Sequence, residues 1–468
     1  MKYYEINNKK LPIPSFFQVL NYGGGMGDKT REIVYSNLTK DTPVLLNYYY
    51  LNNEIPHMFM SKKFDNISNF NSISDVLNNI RNEMIKIDKN AIDFYIDKTS
   101  YFDFNDKILL LDSGASNIVK YLAQKANYDK DKFEELLLIE QDNYYEFANK
   151  LKFDIVIGFD LSGKYTFKDN EKNNKKLIDF YDGLDKDNLN FKLLKESIKF
   201  LKTKNYYPKI LATVHGQTPL LYKKYVKDIL DLELNENVKF WGFALGGVAS
   251  YKSADESWKR SIDPNILKIK YMKDACIPAQ ASYIVRQLID DRPIHALGCG
   301  GYPNILLNYF LGSTSFDAAS PARRVGDGND LSTAFVFNNN PPKKVGNKEI
   351  NFSKVMVGVL DSSLNLRNEN FDYKQINEFD DNYLLCNCPA CNQINNFKEL
   401  KNLYHAKEQN IEKYYYSRQL MNIHSIWQHR FLCQKIANYN SLEQFINENK
   451  LKLFLDLNNL YKLIKKDD

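Results

Sequence analysis

The segment His295–Gly328 reads HALGCGGYPNILLNYFLGSTSFDAASPARRVGDG. It holds a glycine cluster (Gly298, Gly300, Gly301), an apolar helix expected over Pro303–Leu311, and a short strand ending at Phe316-Asp317, followed by Pro321-Ala322-Arg323-Arg324. A carboxylate at the carboxyl end of a strand, next to a proline turn and paired arginines, is where an α/β enzyme places its chemistry, because a rigid sheet holds the loops at that edge. Asp is also a common turn residue, so Asp317 reads equally well as the cap of the next turn.

The strand–helix–strand rhythm of this segment extends upstream. Apolar runs of buried parallel strand type recur at Val44–Tyr50, Ile108–Leu111, Ile155–Phe159, Ile210–Val214, Phe240–Leu245, Ile294–Leu297 and Thr314–Phe316, with helical patterns between most of them. Such alternation predicts a parallel α/β architecture. The strand ends carry the informative residues: Asp112-Ser113-Gly114, Asp160, His215-Gly216, Gly246-Gly247, Gly298 to Gly301, and Asp317. In a (β/α)8 TIM-type barrel all these positions converge on one rim, so the barrel is the expected fold, with its eighth strand either at Val355–Leu360 or near the N-terminus.

Three regions are expected: an N-terminal segment over 1–42, the catalytic barrel over 43–380 with a charged insertion at about 164–209, and a zinc-binding, mostly helical module over 381–468. The insertion is read as a rim feature, and its later part, Leu189–Leu201, has the spacing of a solvated amphipathic helix. Gly23-Gly24-Gly25 with Gly27 lacks the GK[ST] and strand–helix frame of a phosphate loop and reads as a turn.

At 468 residues, with 44% hydrophobic and 26% charged positions, the chain has the composition of an ordinary globular protein. Its net charge of +5 does not by itself announce a polyanionic partner. MKYYEINNKK has no apolar signal core and no apolar run is long enough to span a bilayer, so a cytoplasmic location without membrane contact is expected. Six cysteines are too few for a disulfide scaffold, and three of them crowd into Cys386, Cys388 and Cys391. A C-x-C-x-x-C array needs one more donor to close a tetrahedral, structural Zn²⁺ site. His424 lies in a helical pattern downstream, with His405 and His429 as competitors.

Asp112 and Asp317 are the candidate acid/base and nucleophile, since two rim carboxylates can divide a glycosidic exchange between covalent attack and proton transfer. Asp160 is suited to accept hydrogen bonds from a purine edge and equally suited to cap a helix. Gly246-Gly247-Val248 would let backbone amides approach a flat ligand.

Taken in order, these pieces resemble the tRNA-guanine transglycosylases from about residue 105 to 430. LLLDSGAS resembles the family's aspartate-Ser-Gly-Gly segment, DIVIGFD its base-reading strand, TVHG its Val-Gln-Gly strand and GFALGGVA its Gly-Gly-Leu-Ala loop. RPIHALGCGGYPNILL resembles the Arg-Pro-x-His-Tyr-Leu-Met-Gly-Val-Gly segment, FDAASPAR the nucleophile stretch, and CNCPAC with His424 the zinc site. The resemblance implies that Asp317 attacks the anomeric carbon of a guanosine, and that guanine leaves and a 7-deazaguanine base, such as 7-cyano-7-deazaguanine, replaces it. Asp112 would handle the base's proton, and Asp160 would read the base edge beside Ser113, His215, Gly246, Gly247 and Val248. Arg323 would sit near phosphates. The target base would be flipped out of its stack.

The chain departs from the tRNA enzymes at His215, where they have glutamine, at Ala115-Ser116, where they have glycine and a stacking aromatic, and at Gly298, where they have methionine. Losing the aromatic weakens base stacking by about 1–3 kcal/mol. These departures favour DNA over tRNA as the expected nucleic-acid partner. The alternatives are a divergent queuosine- or archaeosine-type tRNA enzyme and a non-catalytic partner subunit. Homodimerisation through the zinc module is a further expectation from the family.

Overall fold

The structure is a computed structural model and describes residues 2–20, 42–49, 51, 70–76, 104–161, 171–249, 251, 254–268, 273–318, 334–337, 343–345, 348–350, 354–357, 388, 390–448 and 455–466. Eight parallel strands close into a barrel. In chain order they are β1 (Ser15–Val19), β2 (Val44–Asn47), β3 (Leu109–Asp112), β4 (Ile155–Ile157), β5 (Lys209–Val214), β6 (Gly242–Leu245), β7 (Ile294–Ala296) and β8 (Ser315–Ala318). β8 closes the ring by pairing with both β7 and β1, placing Asp317 opposite Phe17. The expected (β/α)8 fold is therefore present.

The eighth strand is the N-terminal one. Lys354–Val357, which overlaps the other candidate, pairs antiparallel with Ala334–Phe337 outside the barrel. The barrel thus draws a strand from before residue 43. An antiparallel hairpin, Tyr3–Ile6 with Lys9–Pro12, precedes β1. Its Ile6 and Leu11 join the cluster that fills the barrel interior. Lys9 Nζ donates to the Lys107 carbonyl at 2.6 Å and to Asp154 Oδ2 at 2.8 Å, both just ahead of strand starts. The hairpin therefore plugs the amino-terminal end and leaves the carboxyl end for chemistry.

Period-two alternation divides the strand side chains between two cores. Phe17, Val19, Leu45, Leu110, Ile155, Ile157, Leu211 and Ala244 pack inside the barrel. Phe16, Val44, Leu46, Leu109, Leu111, Val156, Ile210 and Phe243 pack outward beneath the helices. That parity points Asn47, Asp112, His215, Gly246 and Asp317 inward, where the apolar filling ends.

The surrounding helices include α1 (Ala115–Lys125), α2 (Lys130–Lys150), α3 (Glu171–Asp182), α4 (Lys186–Lys202), α5 (Pro219–Glu236), α6 (Lys273–Leu288) and α7 (Tyr302–Phe310). Their ends follow ordinary capping chemistry. Asp129 accepts the Lys132 N–H ahead of α2, while Thr218 accepts the Leu221 N–H and Pro219 opens α5. Within the lysine-rich stretch, α3 and α4 bury Leu177, Tyr181, Leu193 and Leu194 in the main core. This stretch forms barrel wall rather than a rim appendage, and its part at 164–170 lies outside the described residues. α8 (Phe397–His405) and α9 (Ile411–Ile436) follow, and Leu432, Cys433 and Ile436 of α9 join the same core. No helix among the described residues is long and apolar enough to cross a membrane.

Candidate active site

Asp112 is the last residue of β3, and its register partner on β2 is Asn47. Asn47 Nδ2 donates to Asp112 Oδ2 at 2.8 Å. Burial, and then the neighbouring carboxylates Asp160 and Asp317, push the Asp112 carboxyl up to about 7 from 3.8; the Gly114 N–H and the Asn47 amide pull in the opposite direction. The three acids therefore share one electrostatic environment, and Asp112 is poised to give or take a proton near neutrality.

Asp317 lies within β8, one residue before its end, where the strand pattern had placed it at the terminus. The Gly298 N–H donates to its Oδ1 at 2.7 Å, and His295 Nε2 stands 3.3 Å from the same oxygen. Gly298 has φ +68°, a left-handed conformation that glycine adopts without strain and that turns its N–H onto the carboxylate.

Asp160 follows β4, and its Oδ2 lies 3.2 Å from His215 Nε2. Both neighbours of Asp160 are gripped from outside the barrel. The Phe159 N–H donates to the Tyr145 hydroxyl of α2, and Asn190 of α4 accepts the Leu161 N–H at 2.7 Å while donating to the Leu161 carbonyl at 3.0 Å. The His215 ring lies over Gly246, where a Cβ would come within 2.7 Å of His215 Cε1. Gly247 follows at φ +71°, and Val248 and Ser113 are buried. The structure thus brings Asp112, Asp160, His215, Gly246 and Asp317 to one end of the barrel, and Arg323 lies outside the described residues.

A protein-family description, TGT: Queuine tRNA-ribosyltransferase, matches residues 39–438, most of the 468-residue chain. The chain belongs to this family. Among curated proteins, none matches it. Members of the transglycosylase family are pentosyltransferases, and the family supports guanine exchange in nucleic acid as the chain's activity.

Several residues that shape this barrel end were not singled out from the sequence. Asn47, Ser315 and Asn190 act through register and helix docking, which no local motif announces, and His295 stands in the RPIHALGCGG segment but carried no role there. Tyr144 is a further case. Its hydroxyl lies 2.8 Å from the carbonyls of both Leu111 and Ile157, which share its single proton, lacing β3 to β4 just below Asp112. Burial holds that phenol well above its ordinary range, so it stays a donor.

Of the candidate metal residues, Cys388 lies in a bend ahead of α8 and His424 lies on α9. Cys388 and His424 are buried, with Sγ and Nδ1 3.4 Å apart. Two donors on one tetrahedral zinc, at about 2.3 Å for sulfur and 2.05 Å for nitrogen, are about 3.6 Å apart, so this pair fits a shared ion. Cys386 and the Cys391 side chain lie outside the described residues, and no group of three or more metal-donor side chains occurs among the described ones. Of the competitors, His405 is exposed and His429 is packed between Phe16 and Tyr302, with ring centroids at 4.6 and 4.5 Å. His424 is the histidine placed against Cys388.

Proposed function

We propose that this chain replaces guanine in DNA with a 7-deazaguanine base through a glycosyl ester on Asp317. The observation that carries this reading is the convergence of Asp112 and Asp317 on one barrel end in different environments. Asp317 is held by a backbone donor. Asp112 is held near neutrality by burial and by its acidic neighbours.

In the first half-reaction an Asp317 carboxylate oxygen attacks C1′ of the sugar. The C1′–N9 bond breaks, its electron pair passes to the guanine ring, and neutral Asp112 supplies the proton that the departing base requires. In the second half the incoming base gives a proton to the Asp112 carboxylate and attacks C1′, and the ester oxygen leaves as the Asp317 carboxylate. Asp160 and His215 read the base edge as a pair, with Gly247 and Val248 backbone groups at the base plane. Cys386, Cys388, Cys391 and His424 would hold one structural zinc, which fastens the segment at Cys388 to α9 and takes no part in exchange.

The preference for DNA rests on His215, Ser116 and Gly298, which replace the residues by which the tRNA enzymes hold their base. The tRNA reading is favoured by the family's own description, which names a tRNA ribosyltransferase. Radiolabelled guanine offered with double-stranded DNA, single-stranded DNA and bulk tRNA separates the two. Label is expected in DNA. Label confined to tRNA overturns the substrate assignment, and label in none of the three overturns the exchange activity.

A further inference from the structure

His295 is fully buried inside the barrel, with no exposure at all. Its Nδ1 pairs with Ser315 Oγ at 2.9 Å, across the β7–β8 register in which the two residues are partners. Its Nε2 stands 3.3 Å from Asp317 Oδ1 and has no hydrogen-bond partner among the described residues. An imidazole nitrogen buried in this way and aimed at one atom represents a desolvation cost that needs a compensating partner. The Gly298 N–H reaches the same oxygen from the loop that directly follows β7. One backbone donor and one unsatisfied ring nitrogen thus face Oδ1, and no described residue bonds Oδ2.

We propose that His295 is a positioning residue: with the Gly298 N–H it locks Oδ1 of Asp317 and thereby assigns Oδ2 as the oxygen that attacks the sugar. The proposal rests on the reading of Asp317 as nucleophile. With the Ser315 hydroxyl donating to Nδ1, the ring proton sits on Nε2 and faces the carboxylate. The carboxylate is then pinned in one rotamer before substrate arrives, which is how a fixed near-attack geometry lowers the barrier. When Oδ2 forms its bond to C1′ and the C1′–N9 pair leaves with the base, Oδ1 becomes the ester carbonyl and keeps both donors. The bonds to Oδ1 weaken as its charge falls and strengthen again when the second half-reaction restores the carboxylate. Phe17 packs edge-on against the ring, with centroids 5.6 Å apart.

The test uses the full chain and single-turnover formation of the protein–polynucleotide adduct, on double-stranded DNA and on tRNA, with thermal melting as the check on folding. His295→Met fills the space without a donor, and His295→Gln puts an amide N–H near the position of Nε2. His295→Met is expected to slow adduct formation about 10–100-fold, the scale of a misplaced reacting group. The KM for guanine should stay within about twofold, because base binding is untouched. His295→Gln is expected to recover most of the rate. Adduct formation at the wild-type rate in His295→Met, or equal losses in the Met and Gln variants, overturns the proposal. Should His295→Met fail to fold, Ser315→Ala carries the test: a slower adduct with unchanged KM supports the role, and a wild-type rate overturns it. Absence of adduct in the wild-type chain on both polymers instead overturns the reading of Asp317, and the proposal falls with it.

Discussion

Asn47 and Asp112 face each other across neighbouring strands, and the amide of Asn47 donates to Oδ2 of Asp112 at 2.8 Å. The contact fixes the side chain where Asp160 and Asp317 oppose its ionisation.

Because the folded-state value for Asp112 is raised from 3.8 to about 7, protonation favours the folded chain. Its contribution to stability is complete below the unfolded value and is lost as pH rises through about 7. Asp112→Asn should therefore melt at a higher temperature than the wild type at pH 8, with the gap closing toward pH 4. The same variant should lose exchange by about 100-fold or more, as for a removed acid/base group. Melting curves at the two pH values and exchange rates at neutrality check both.

Gly246→Ala places a methyl group 2.7 Å from His215 Cε1 and 2.8 Å from Thr213 Cγ2. Gly246 lies one residue past β6 and its N–H still donates to the Val214 carbonyl at 3.0 Å, so the fold should survive while the His215 ring leaves Asp160. We expect kcat/KM for the base to fall about tenfold, mainly through KM, because the lost contact is a binding one. Steady-state kinetics in guanine shows whether the loss falls there.

Substitution at the Cys388–His424 pair should remove metal without touching the barrel end. About one zinc per chain is expected in the wild type, lost in Cys388→Ser and in His424→Ala and retained in His405→Ala. Metal analysis by mass spectrometry gives the stoichiometry, and a lower melting temperature in the first two variants is the expected companion.

Most of the barrel is legible in the sequence because strands covered on both faces read as apolar runs, as LLN at 45–47 and KILATV at 209–214 show. β1 is legible only as a strand near the N-terminus, because SFFQV follows a proline and carries a polar residue, Gln18, in its apolar run. The Val355–Leu360 pattern looks equally strand-like, and its described part is indeed a strand, but an antiparallel one outside the barrel. The rim carboxylates stood out as charged residues ending apolar runs. Their holders did not: Asn47 has meaning only through its register partner and Asn190 only through the docking of α4 on Leu161, while His295 stands in the quoted RPIHALG segment but is aimed at Asp317 only by its register with Ser315.

The central claim is that Asp317 carries the sugar during exchange. Its most direct test is a denaturing gel of the chain incubated with end-labelled double-stranded DNA, followed by mass mapping of the modified peptide. The account predicts a labelled protein band whose modification maps to Asp317, absent from Asp317→Ala and discharged when free guanine is added. A band of equal strength in Asp317→Ala would contradict it.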